Sequence, residues 1–102
     1  MKPAKVPADL RPFVPIAEKW GAVNGNSEVY ALADRAKANP KEMAELRSFA
    51  SQFSRGPQAA FRQWRTTTSI TESHEYAKFY FLFMLLDDLD IKLAEGPMSE
   101  PP

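Results

Sequence analysis

Eight consecutive apolar residues, Phe79 to Leu86, stand between Lys78 and Asp87. A stretch with no polar side is stable only when it is enclosed, either by the rest of its own chain or by a second one. It falls far short of the roughly 20 apolar residues that span a bilayer, so it does not cross a membrane. Periodicity alone does not separate a buried strand from a buried helix over so short a run. Length does. Helical spacing extends through Tyr76, Phe79, Tyr80, Phe83 and Leu86, past Leu89 and toward Leu93, and no second strand pattern exists to pair with it.

The rest of the chain carries helical punctuation. Phe13, Ile16, Ala17 and Trp20 follow i, i+3, i+4, i+7 spacing, and Gly21 supplies a stop. Pro12 and Pro15 make this helix start near residue 11, because proline is tolerated only in a first turn. Asn24-Gly25-Asn26 reads as a helix-to-helix loop, since no alternating run flanks it. Asn26 or Ser27 would then cap a helix with the stripe Val29, Leu32, Ala33 and Ala36. Asn39-Pro40-Lys41-Glu42 combines a capping residue, a proline at the first helical position and a glutamate able to bond back.

The helix that follows should bury Met43, Leu46, Ala50 and Phe53, with Phe49 beside them, and stop at Gly56-Pro57. A shorter helix carries Ala60, Phe61 and Trp64 and ends in Thr66-Thr67-Thr68, where three β-branched residues disfavour continuation. Ser69 or Ser73 caps the last. The fold expected is all-α, a compact bundle of four to five helices around a hydrophobic central C-terminal helix, with frayed termini. Residues 1–8 read as a disordered arm, 9–95 as one helical domain and 96–102 as a disordered tail. Trp20, Trp64, Phe79 and Phe83 should be largely buried.

Composition limits the function. The 102 residues lack cysteine, which removes disulfides, thiolate zinc sites and thiol nucleophiles, and favours a reducing cytoplasm. The start Met1-Lys2-Pro3-Ala4-Lys5 leads into no apolar segment, so no signal peptide is expected. Formal net charge is zero, which gives no global attraction to nucleic acid or membrane. The charges are nevertheless segregated. Arg55, Arg62 and Arg65 lie in a stretch without acids, whereas Glu72, Glu75, Asp87, Asp88, Asp90, Glu95 and Glu100 face only Lys78 and Lys92.

Two stretches resemble a known group. Phe13-Val14-Pro15-Ile16-Ala17-Glu18-Lys19-Trp20-Gly21 is similar to the opening "L-x-x-L-A-E-K-W-G-I" of some short all-helical bacterial proteins. Ser73-His74-Glu75-Tyr76-Ala77-Lys78-Phe79 is similar to their closing helix, "S-x-E-Y-x-x-F". Acidic residues usually follow the Trp-Gly in that group, where this chain has Val23-Asn24-Gly25-Asn26. The group is similar in size and context to immunity proteins of interbacterial toxin systems. The resemblance therefore implies a protein-binding, toxin-neutralising role and brings no catalytic residue.

Catalysis finds little material. His74 is the only histidine and reads as a polar residue in a helix's first turn. The four glycines are isolated, so no phosphate-cradling loop is present, and no enzyme, cofactor or metal site is expected. Asp87, Asp88 and Asp90 form the densest acidic cluster. On a helix, Asp87 and Asp90 are neighbours while Asp88 projects about 100° away, a poor cage for a cation. These three are the candidate contact residues for a basic protein partner. Two alternatives remain open: a homodimer through the Phe79–Leu86 helix, and a nucleic-acid accessory role for Arg55, Arg62 and Arg65 with Phe61 and Trp64 interleaved. The aromatic pair is spaced i, i+3, which points inward.

Overall fold

A computed structural model describes residues 5–22 and 24–93. Among them are five α-helices and no strand. A 3₁₀ turn, Ala8–Phe13, leads into α1 (Val14–Trp20), followed by α2 (Asn26–Lys37), α3 (Pro40–Phe53), α4 (Pro57–Arg65) and α5 (His74–Asp88). The all-helical bundle with α5 at its centre agrees with the sequence. The tail expected over 96–102 lies outside the described residues, and so does the first half of the expected arm. Within the remainder of that arm, Val6 packs partly against the core.

Local chemistry explains most boundaries. Pro12 falls inside the 3₁₀ turn and Pro15 in the first turn of α1, so neither removes an α-helical hydrogen bond. Asn39 Oδ1 accepts from the backbone N–H groups of Lys41 and Glu42 at 3.1 and 3.2 Å, with Pro40 at the first helical position. Ser73, not Ser69, caps α5, its hydroxyl accepting from the Tyr76 N–H at 3.1 Å. The cap of α2 is neither Asn26 nor Ser27 but Gly25, whose φ of 111° suits glycine alone. Glu28 reaches back instead, accepting from the Asn24 N–H at 3.1 Å.

The packing around α5 is uneven. Its backbone comes closest to α1 and α2, where Ala17, Ala33, Ala36 and Ala77 are buried and permit close approach. Gly21 is a point of close approach: a Cβ there would collide with the carbonyl oxygens of Ala17 and Lys78. Residues 13–21 and 73–79 thus touch each other, and an ion pair between Lys78 and Glu18 at 3.7 Å spans the same junction.

Toward α3 and α4 the spacing is set by rings. Phe61 lies 4.8 Å from Phe83, 5.5 Å from Tyr76 and 6.1 Å from Phe53, centroid to centroid. Trp64 meets Tyr76 edge-on at 5.2 Å. Phe, Tyr and Trp bury more area than any aliphatic residue, so these contacts dominate the core. Such rings also keep α4 away from α5. Trp20, Trp64 and Phe79 are buried as expected, whereas Phe83 is only half-buried, because the gap between α4 and α5 leaves one side of its ring open.

Candidate functional site

Two charged clusters differ in whether their charges are matched. The first covers Trp20, which is fully buried. The Trp20 indole N–H donates to Glu45 at 3.3 Å, and Lys19 pairs with the same carboxylate at 2.9 Å. Arg35 donates twice to Glu42, at 2.9 and 2.7 Å, and its guanidinium lies 4.9 Å from the Trp20 ring centre. That bidentate bond holds the Glu42 carboxyl below its ordinary range and raises Arg35. The hydrogen bond to Glu45 raises Lys19 in the same way. Every charge here has a partner, so the cluster clamps α1, α2 and α3 together. Glu42, read from sequence as bonding back to its own helix start, is recruited by Arg35 instead.

The second cluster is the acidic end of α5. Asp87 and Asp88 occupy its last turn, where the helix dipole is negative and no basic residue is present to offset it. Asp90 is not helical. It adopts φ 60° one residue beyond the C-cap, a left-handed conformation that glycine tolerates best and aspartate better than most. Its N–H donates to the Asp87 carbonyl at 3.0 Å and that of Ile91 to the Leu86 carbonyl at 2.9 Å. These two bonds form a Schellman motif, sealed by buried Leu86 and Ile91. The i, i+3 relation expected for Asp87 and Asp90 on one helix face, and the extension of the helix toward Leu93, give way to this reversal. All three aspartates are exposed, and among the described residues none of their carboxylates makes an ion pair.

The arginines lie close by. Arg62 and Arg65 project from α4 across a groove of about 890 Å³ that separates it from the end of α5. Phe53, Phe61, Phe83 and Leu86 lie beneath this groove, Phe83 alone of the four being only half-buried, and Asp87, Asp90 and Lys92 line its other side together with Ile91 and Leu93. Two residue sets that the sequence offered as rivals are therefore brought to a single place. Asp88 and Arg55 are exposed and lie outside it. Phe61 and Trp64, the rings interleaved with the arginines, are 8 % and 5 % exposed, so they serve the core and present no face for stacking bases.

Elsewhere, His74 is exposed in the first turn of α5, as the sequence suggested. Among the described residues no three potential metal ligands gather, and no helix is long and apolar enough to cross a membrane. Along α5, Phe79, Leu82, Leu85 and Leu86 are enclosed within this one chain, leaving Tyr80 as its exposed large apolar residue. Comparison with family models, with curated proteins and with solved structures finds no match for this chain.

Proposed function

We propose that this chain is a non-catalytic protein-binding domain that uses the acidic end of α5 to engage a basic partner, acting as an immunity-like or inhibitory protein. One observation carries the reading. Asp87, Asp88 and Asp90 each stand where a different residue would make a more stable fold. A cation in the last helical turn would favour the dipole, and a glycine would relieve the left-handed residue. Carboxylates that disfavour the fold where they stand, exposed and without ion-pair partners among the described residues, are suited to meeting charge from outside. The contrast with the fully paired cluster over Trp20 sharpens the point. Absence of cysteine fits action in a reducing cytoplasm.

Charge complementarity acts mainly on the association rate and fades with salt. Affinity capture from the native host, with the wild-type chain as bait, should recover a basic protein at low ionic strength. The variant Asp87→Lys/Asp88→Lys/Asp90→Asn should lose it while keeping the helical circular dichroism spectrum. Undiminished capture by that variant at low salt would refute the acidic-face reading.

A further inference from the structure

Resting on that protein-binding reading, we propose that the groove between α4 and the end of α5 receives an amphipathic helix of the partner, with apolar side chains seated against Phe83 and Leu93, an acidic residue facing Arg65 and a basic residue facing Asp87 and Asp90. The open side of the Phe83 ring is the first reason. Phe83, half-buried, closes on Phe53 and Phe61 at 4.9 and 4.8 Å yet leaves its outer side in the groove. An apolar trough bordered by two helices suits a third helix laid along it, which anchors through residues spaced i, i+3 or i+4, and i+7.

The walls give the second reason. Arg62 and Arg65 stand on the α4 side, Asp87 and Asp90 with Lys92 on the other, and Arg65 does not close on the aspartates. Among the described residues the Arg65 guanidinium and the Asp87 and Asp90 carboxylates make no ion pair, the rings beneath holding α4 off α5. A purely basic occupant would meet Arg65, and a purely acidic one would meet the aspartates. Only a segment that is acidic along one edge and basic along the other is matched on both sides. Gln58 adds a polar element on the α4 side: its Oε1 is buried without a hydrogen-bond partner among the described residues and lies in the groove lining, where an occupant's donor would satisfy it.

The test needs no knowledge of the natural partner. A display library of random helical peptides about five turns long is selected against the full chain. Enriched peptides are then synthesised and titrated by fluorescence anisotropy against wild type, Arg65→Glu, Asp87→Lys and Asp88→Lys. The inference expects enriched sequences with an apolar stripe between an acidic and a basic edge. Arg65→Glu and Asp87→Lys should each weaken binding about tenfold, and Asp88→Lys, outside the groove, less than about threefold. Exchanging the peptide's acidic residue for lysine should restore binding to Arg65→Glu. If Asp88→Lys weakens binding as much as Asp87→Lys while Arg65→Glu has no effect, the groove is overturned and the acidic-face reading stands. Failure to enrich any peptide of this charge pattern overturns the inference outright.

Discussion

Gly21 rests against the carbonyl group of Lys78, so close that a Cβ at residue 21 would sit 2.9 Å from the Lys78 carbonyl carbon and nearer still to its oxygen. The backbone of Gly21 is ordinary, with φ −86° and ψ 106°, so any residue could adopt its conformation. Glycine is required by space alone. Through this contact the end of α1 sits on the second turn of α5 with no side chain between them.

Gly21→Ala therefore destabilises by overpacking rather than by backbone strain. The expected loss is about 1–3 kcal/mol, the usual cost of forcing an extra carbon into a filled interior. Gly25→Ala tests the opposite case, because open space surrounds Gly25 and its positive φ supplies the whole penalty. Urea unfolding of both variants checks this. An unchanged midpoint for Gly21→Ala would mean that α1 can shift along α5.

The paired cluster over Trp20 predicts a pH dependence. Arg35 holds the folded Glu42 carboxyl below its unfolded value, so the interaction contributes fully above the unfolded pKa of about 4.5 and is lost as pH falls through the lower, folded one. Thermal unfolding between pH 6 and pH 3 should show wild type losing more stability than Glu42→Gln, which has no proton to bind. Parallel curves would show that the pairing contributes nothing to folding.

Ring burial ranks two core truncations. Phe53 is fully buried, and Phe53→Ala should cost about 3–5 kcal/mol. Phe83→Ala should cost less, because one side of that ring already faces the groove. Equal losses would mean that the groove closes around Phe83 in solution.

The helices were legible because their signals are local. Asn39-Pro40 and Ser73 mark starts through chemistry contained within a few residues, and Gly56-Pro57, read as a stop, opens α4 as well; of the stripe Met43, Leu46, Ala50 and Phe53, with Phe49 beside it, all but the partly buried Met43 are buried. The end of α5 departs from the sequence expectation because its reversal uses Asp90 where glycine is usual. The signal was present even so, in an apolar residue after the turn, Ile91, that closes back on Leu86. The groove lay beyond local reasoning. It depends on how far the rings of α4 hold that helix from α5, and it joins residues more than twenty positions apart in sequence, such as Arg65 and Asp87. The clamp of Lys19, Arg35, Glu42 and Glu45 over Trp20 was hidden for the same reason, since three helices build it.

The central claim is that the acidic end of α5 is kept for function at a cost to the fold. Its most direct test is the unfolding free energy of Asp87→Asn/Asp88→Asn/Asp90→Gly, measured in urea at neutral pH and low salt. Relief of the helix dipole and of the left-handed aspartate should stabilise the variant by about 1–3 kcal/mol. A less stable variant would contradict the claim, because the three carboxylates would then be holding the structure together.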